Sequence, residues 1–286
     1  MAGKRKGANK VDVIAGVIVI LVAVLLMLAV LVAMRQCTAA VPTVPPTTVS
    51  TAPTPPPKPT LPANPYEPGD FVYDQNGYLT CLAGESWLGV DVSEHQGSIQ
   101  WEKVASADVR FAMVRLGYRG WGSEGVVRAD AEGLHNLEGA AAAGLKVGVY
   151  FFSQAICVEE AREEARFVLA LLDGYGLDLP VVFDWETVSS EDARTVNMDA
   201  ETLNACALAF CREIEAAGYE AAVYFNLDMA KRMFDLPALH SAGYDLWLAM
   251  YADALTYRGQ VRMWQYTDAG NVPGIKGKVD LNLYFP

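Results

Sequence analysis

Short apolar segments recur along the carboxyl-terminal part of the chain, and stretches with helical spacing separate the early ones. Near-continuous apolar strands that alternate with helices are typical of a parallel sheet covered by helices. Eight such strands in about 200 residues predict a closed (β/α) barrel. The predicted strands are 88–93, 111–118, 146–153, 180–186, 220–226, 245–251, 262–268 and 279–285.

The predicted barrel is irregular because its helices are confined to the early connections. Residues 128–144, 157–176 and 198–218 have helical spacing, and Gly144 and Gly218 are expected to end two of these helices. The last three strands have short connections without room for full helices. An open doubly wound sheet is the alternative, but no G-x-G-x-x-G follows the first strand to support a dinucleotide-binding fold.

An uncharged apolar run lies near the amino terminus. Val13 to Met34 is a run of 22 residues, long enough to cross a bilayer as a helix. The basic cluster before it favours a cytoplasmic amino terminus and an exported remainder. A cleaved signal peptide is the rival, although the apolar core of such a peptide is usually about 7–15 residues long.

The composition divides the chain into five parts. A Pro/Thr-rich stretch follows the apolar run and predicts a semi-rigid, extended linker. The predicted location is the cell membrane, with one span and the barrel outside the cell. The parts are a basic cytoplasmic tail (1–12), a transmembrane helix (13–34), the linker (35–63), a lead-in segment of unassigned role (64–86) and the barrel domain (87–286).

The exported part is strongly acidic. The first 63 residues hold six of the 22 basic residues and one of the 34 acidic residues, which leaves 16 and 33 for the remainder and a net charge of −17. Nucleic acid is not expected as a partner, because neutralisation of phosphates by Lys and Arg dominates that affinity. The five cysteines lack metal-binding spacing such as C-x-x-C, and neither a metal nor a cofactor is expected.

Four acidic residues are predicted to meet at one end of the barrel, where such folds carry their chemistry. The segment PVVFDWE ends in Asp184 and Glu186. Strand side chains alternate with a period of two, so both carboxylates face one side and Trp185 faces the other. Asp91 ends the first strand and Asp280 belongs to the last, and these strands are neighbours in a closed barrel. We therefore expect four carboxylates around one pocket.

Aromatic residues at the strand ends suit a carbohydrate. Their faces stack on sugar rings, while carboxylates bind hydroxyl groups. Glycosidases commonly use two carboxylates, one of which protonates the glycosidic oxygen once its pKa is raised. His95 lies just beyond the first strand and is expected to be structural or solvated.

Several motifs together resemble the glycoside hydrolase family 25 lysozymes. The segment LGVDVSEHQGSIQW (88–101) resembles the opening signature of that family. PVVFDWE resembles its D-x-E strand, and MWQYTDAGNVPGIKGKVDLNLY resembles its closing Trp-Gln-Tyr and V-D-x-N elements. The resemblance covers residues 87–285, and the motifs occur in the family's order.

The resemblance implies hydrolysis of the β-1,4 bond between N-acetylmuramic acid and N-acetylglucosamine in peptidoglycan. Glu186 then corresponds to the general acid and Asp184 to its partner carboxylate, while Asp91 and Asp280 match the family's acidic residues on the first and last strands. Retention assisted by the 2-acetamido group and inversion through an activated water both stay open. The residues that resemble substrate-groove positions are Tyr150, Tyr224, Trp247 and Gln265.

One position departs from the family pattern. Many members have Tyr-His-Phe on the third strand, whereas this chain has Tyr-Phe-Phe at 150–152 and so has no histidine at that position. The leading hypothesis is a bacterial muramidase held at the membrane by residues 13–34 and acting on peptidoglycan glycan strands. The alternatives are a catalytically inactive module that binds cell-wall glycan, and a phage lysin or toxin-like effector aimed at other cells.

Overall fold

The computed structural model describes residues 59–286, which form eleven strands and six α-helices. The strands are β1 (Phe71–Tyr73), β2 (Leu79–Cys81), β3 (Trp87–Val92), β4 (Phe111–Arg119), β5 (Val127–Ala129), β6 (Lys146–Ser153), β7 (Val181–Trp185), β8 (Ala221–Asn226), β9 (Asp245–Ala249), β10 (Met263–Gly270) and β11 (Val279–Tyr284). The helices are α1 (Trp101–Ala105), α2 (Gly133–Ala142), α3 (Val158–Leu172), α4 (Ala200–Ala216), α5 (Leu227–Arg232) and α6 (Leu236–Ser241).

Eight of these strands close into a barrel, and all eight correspond to predicted strands. Their order is β3-β11-β10-β9-β8-β7-β6-β4, and a pairing between β3 and β4 closes the ring. The short strand β5 pairs with β4 on the outside of this order. The closed barrel is confirmed, and the open doubly wound alternative is not the fold of residues 59–286.

The prediction of a parallel sheet is wrong for the last strand. β11 pairs antiparallel with both β10 and β3, whereas the other neighbouring barrel strands run parallel. The physical reason is the connection at residues 271–278, since a parallel crossover needs a dozen or more residues and a hairpin needs only a few. Asp280 therefore lies at the start of its strand, yet at the same barrel end as the carboxyl ends of the parallel strands.

The helices cover the early strands, as predicted. The stripe Ala161, Ala165, Val168 and Leu172 is buried along α3, with the spacing of one helix face. The chain leaves α2 through Gly144 at φ +85° and leaves α4 through Gly218 at φ +88°, a backbone conformation that favours glycine. Within residues 59–286, no α-helix follows β9 or β10.

Large side chains fill the inside of the barrel, so it is a packed core and not a pore. Phe111, Met113, Val182, Trp247 and Met263 belong to one interior cluster of buried residues. A second cluster lies between the outer faces of the strands and the helices. Cavities open at both ends of this packed interior.

The lead-in segment covers the side of the barrel that lacks helices. Its strands β1 and β2 form an antiparallel hairpin. The Phe71 ring packs edge-on against Trp264, with 5.2 Å between ring centroids, and Tyr66 lies 4.8 Å from Phe285. The backbone N–H of Leu79 donates a hydrogen bond to the Tyr266 hydroxyl at 3.3 Å. The segment thus buries apolar surface on β10 and at the end of the chain, where connecting helices are missing.

The predicted transmembrane helix (13–34) and most of the predicted linker lie outside the described residues. Among residues 59–286, no helix has the length and apolar character needed to cross a bilayer. Four cysteines fall in this range, and all four are free thiols: Cys81, Cys157, Cys206 and Cys211.

Candidate active site at the barrel mouth

A pocket of about 270 Å³ opens where the parallel strands end. All eight site residues predicted from the sequence line it. We call it the mouth pocket and define it by its lining residues: Asp91, Ser93, His95, Gln96, Arg115, Tyr150, Phe152, Asp184, Glu186, Tyr224, Trp247, Tyr251, Gln265 and Asp280.

The strand β7 places two carboxyl groups in the mouth pocket. Asp184 lies within the strand and is 5% exposed, and Glu186 follows the last strand residue. Trp185 faces the opposite side, where its indole N–H donates to the Ala155 carbonyl at 3.1 Å. The predicted alternation along this strand is therefore confirmed.

Asp91 and Asp280 form a second pair of carboxyl groups. They are direct partners in the register of β3 and β11. The Gln265 amide donates to Asp91 Oδ2 at 2.9 Å and to Asp280 Oδ2 at 3.2 Å, and the Asn282 amide donates to Asp91 Oδ2 at 2.7 Å. Gln265 thus holds both carboxyl groups against the pocket floor.

The Asp91–Asp280 pair keeps one proton at neutral pH. Burial, the Asp91 charge and a hydrogen bond with Asp91 raise the pKa of Asp280 to about 8. Burial also raises the pKa of Asp91, although hydrogen bonds from Asn282 and Gln265 oppose the rise. The two carboxyl groups therefore titrate as a pair that shares this proton.

Asp184 and Glu186 also have raised pKa values. Burial, then the Glu186 charge and then the Asp91 charge hold the pKa of Asp184 well above its usual range. Burial and the Asp91 charge raise the pKa of Glu186. Asp184 Oδ1 is buried without a hydrogen-bond partner among the described residues. Neighbouring carboxyl groups oppose each other's ionisation, so this pair retains a proton to higher pH than isolated carboxyl groups would.

The aromatic residues of the mouth pocket build its floor. Trp247 is 2% exposed, and its indole N–H donates to Asn282 Oδ1 at 2.9 Å. Tyr224 packs edge-on against Trp247 at 5.0 Å, and its hydroxyl donates to Gln265 Oε1 at 3.0 Å. Tyr251 is 56% exposed, so its ring stands at the rim and is the one best placed to meet a ligand from solvent.

Arg115 is the pocket residue that the sequence analysis missed most clearly. Among residues 59–286, it is the one Lys or Arg that lines the mouth pocket. Its guanidinium donates to Asp130 at 2.7 Å and to Glu94 at 3.2 Å, and its charge opposes the rise in the pKa of Asp184. The signal available was an arginine inside the otherwise apolar run FAMVRLGY. His95, expected to be structural or solvated, also borders the pocket.

A larger cavity of about 610 Å³ lies at the opposite end of the barrel, where strands β3, β6, β8 and β9 begin. Two ion pairs lie on its wall: Lys146 with Asp178 at 3.3 Å, and Arg262 with Asp245 at 3.3 Å. We call it the basal cavity and define it by its lining residues: Trp87, Lys146, Asp178, Leu179, Glu215, Gly218, Tyr219, Glu220, Ala221, Gly243, Tyr244, Asp245, Arg262, Tyr284 and Pro286.

The mouth pocket has the properties that a glycosidase requires. It holds buried carboxyl groups with raised pKa values beside aromatic side chains, at the barrel end that carries catalysis in this class of fold. The model of the family "Glycosyl hydrolases family 25" matches residues 90–275, more than half of the chain. The chain belongs to this family of glycoside hydrolases.

Two curated relatives have similar sequences. The autolytic lysozyme of Clostridium acetobutylicum is 25% identical in an alignment of 207 residues that covers 68% of this chain and 55% of that protein. The uncharacterized protein YegX of Escherichia coli K12 is 26% identical in an alignment of 214 residues that covers 68% of each chain. The chain therefore spans about half the length of the clostridial relative.

Two solved structures have the same fold. The modular autolysin LytC of Streptococcus pneumoniae has a TM-score of 0.62 and 26% identity, with 75% of this chain and 50% of that chain covered. LytC has also been solved in complex with a synthetic peptidoglycan ligand. The bacterial lysozyme of Streptomyces coelicolor has a TM-score of 0.56 and 21% identity, with 70% of this chain and 92% of that chain covered, and shows likeness of fold alone.

Proposed function

We propose that the protein is a peptidoglycan hydrolase that cleaves the β-1,4 bond between N-acetylmuramic acid and N-acetylglucosamine. The observation that carries this proposal is the meeting of Asp91, Asp184, Glu186 and Asp280 around one pocket of a family 25 barrel. The names of the clostridial lysozyme and the pneumococcal autolysin, and the peptidoglycan ligand of the latter, support the choice of substrate.

In the proposed mechanism Glu186 is the general acid. Burial and the Asp91 charge raise its pKa, which favours the protonated form that a general acid needs. As the bond between the anomeric carbon and the glycosidic oxygen breaks, the Glu186 proton passes to the departing oxygen. Asp184 has one of two roles in this step. Its negative charge stabilises the positive charge that develops on the sugar, or it orients the 2-acetamido group of that sugar. Water completes the hydrolysis, and NMR of the first-formed anomer distinguishes retention from inversion.

The other two acids and the pocket floor have supporting roles in this proposal. The Asp91–Asp280 pair places negative charge near Glu186 and so raises the pKa of the general acid. Tyr150, Tyr224, Trp247 and Gln265 shape the sugar site, since each lines the mouth pocket.

The second candidate function is a wall-binding module without activity, and one substitution separates the two. Glu186→Gln should lower the rate of wall solubilisation by about 10²–10⁴-fold, because a general acid contributes that much. Binding to insoluble peptidoglycan, measured by co-sedimentation, should remain. Glu220→Gln on the wall of the basal cavity is the matched control and should leave both quantities unchanged. Equal lysis by Glu186→Gln and the unaltered protein would remove Glu186 from the mechanism.

The anchored location stays a proposal that rests on the sequence. The uncharged run at 13–34 and the basic residues before it favour a single span with the barrel outside the cell. The full chain should then sediment with membranes, and protease added outside intact cells should release the barrel. Recovery of the barrel from the culture medium without protease would contradict a lasting anchor.

A further inference from the structure

Glu186 lies one residue beyond the paired register of β6 and β7. The paired register of β6 and β7 ends at Ser153 and Trp185. Glu186 and Gln154 each follow one residue later, where the ladder has stopped. Some other contact must therefore fix the residue that we propose as the general acid.

Gln154 supplies that contact through its side chain. Its amide Nε2 donates to the Glu186 carbonyl at 2.7 Å and to the Ser153 carbonyl at 2.9 Å. Carbonyl oxygens can only accept hydrogen bonds, so the amide nitrogen must face them. The Thr195 hydroxyl donates to the opposite amide atom, Oε1, at 3.2 Å, which fixes the same orientation. The Gln154 side chain is completely buried, so no solvent competes for these bonds.

Gln154 also contacts a later part of the segment at 186–199, which connects β7 to α4. The Arg194 guanidinium donates to the Gln154 carbonyl at 2.7 Å and to both carboxylate oxygens of Glu160, at 2.8 and 2.6 Å. The start of the segment is thus held by the Gln154 side chain, and its later part is held by Thr195 and Arg194. One residue, Gln154, therefore connects the segment at 194–195 to the backbone of Glu186.

A buried ion pair between Arg119 and Glu164 holds Ser153, the residue before Gln154. The Ser153 hydroxyl donates to Glu164 Oε2 at 2.6 Å, and Arg119 Nε donates to Glu164 Oε1 at 2.6 Å. Ser153 and Glu164 are both fully buried. The residue before Gln154 is therefore fixed to α3, and the amide has a rigid base from which to hold Glu186.

We propose that Gln154 is a positioning residue for the hydrolysis, one that acts through the backbone of Glu186 and touches no substrate. This inference rests on the proposed role of Glu186. Side-chain placement matters because an error of about 1 Å in a catalytic group can cost about 10²-fold in rate. Since burial raises the pKa of Glu186, a residue freed toward solvent should also lose its proton at a lower pH.

The test is Gln154→Met, which keeps the length of the side chain and removes both donors. We expect kcat for wall fragments to fall about ten- to a hundredfold with KM nearly unchanged. The basic limb of the kcat–pH profile should move to lower pH. Thr195→Val removes only the hydrogen bond that orients the Gln154 amide. It should lower kcat and move the basic limb of the kcat–pH profile to lower pH, each by less than Gln154→Met does.

The matched control is Asn204→Leu, since Asn204 also bridges two backbone carbonyls, Ala200 at 2.6 Å and Met233 at 2.7 Å, away from the mouth pocket. It should lower the thermal unfolding midpoint and leave kcat per folded molecule and the pH profile unchanged. If Gln154→Met and Thr195→Val behave like Asn204→Leu, Gln154 is merely structural and the inference is wrong. If Gln154→Met does not fold, Thr195→Val decides. An unaltered protein that releases no wall fragments would refute the proposed function instead.

Discussion

The two ends of the barrel differ in how their acidic side chains are surrounded. The basal cavity is the larger of the two, and there Asp178 and Asp245 are partly exposed and each forms an ion pair with a basic side chain. At the mouth pocket, Asp184 is buried with one unpartnered oxygen, and Asp91 and Asp280 share a proton. Burial of four neighbouring carboxyl groups beside a single cation of the described residues, Arg115, costs stability, and such a cluster indicates function at this end. Of the two cavities, the smaller one therefore holds the carboxyl groups that indicate function.

Among the variants that test this contrast between the barrel ends, Asp184→Asn is expected to have the largest effect on activity and stability. The activity should fall by about 10²–10³-fold, as for loss of a group that stabilises developing charge. The stability should rise, because the asparagine needs no proton to be buried. The folded pKa of Asp184 lies above its unfolded value, so the unaltered protein loses stability as pH rises from the unfolded pKa through the folded one. The gain in thermal midpoint should therefore be greater at pH 8 than at pH 5.

A variant that lost both activity and stability at pH 8 would contradict this expectation for Asp184. Its carboxyl group would then be held by partners in the folded protein, and the contrast between the two barrel ends would disappear.

A smaller effect is expected for Asp280→Asn, and it is a change in pH dependence. The pKa of Asp280 rises from 3.8 to about 8 on folding, so its contribution to stability is present below pH 3.8 and is lost as pH rises to about 8. The variant should show a flatter decline in the free energy of unfolding across this range, measured by urea titration at successive pH values. Parallel curves for the two proteins would show that Asp280 has no raised pKa.

The smallest effect is expected for Asp178→Asn at the basal cavity. The Asp178 side chain is 45% exposed and forms an ion pair with Lys146, and exposed pairs contribute about 0–1 kcal/mol. Wall-lysis activity should not change, and the free energy of unfolding should fall by no more than that amount. Loss of lysis at constant stability would mean that the basal cavity takes part in function.

The sequence was most informative where one local pattern decided the structure. The alternation of Asp184, Trp185 and Glu186 fixed which side each residue faces, and the eight apolar segments fixed the barrel. It was less informative for β11, where the length of the connection at 271–278 decides the direction of the strand. Asp280 reaches the mouth pocket because that strand is antiparallel, and not because it ends a parallel strand.

Contacts between distant segments could not be predicted from local patterns. Arg115 donates hydrogen bonds to Asp130 and Glu94, which lie outside its own strand. The Gln154 side chain donates to the Glu186 carbonyl just beyond the point where β6 and β7 stop pairing. The lead-in segment has no strong periodicity, yet its Phe71 completes the apolar cover on Trp264. In each case the partner lies far along the chain, so only the folded barrel brings the two groups together.

The most direct test of the proposed chemistry is the identity of the sugar at the new reducing ends. Residues 57–286, which form one compact unit, would be incubated with purified peptidoglycan, and the released muropeptides would be reduced and analysed by mass spectrometry. The account predicts reduced N-acetylmuramic acid at the new ends. Reduced N-acetylglucosamine, or intact glycan strands with cut peptides, would contradict it.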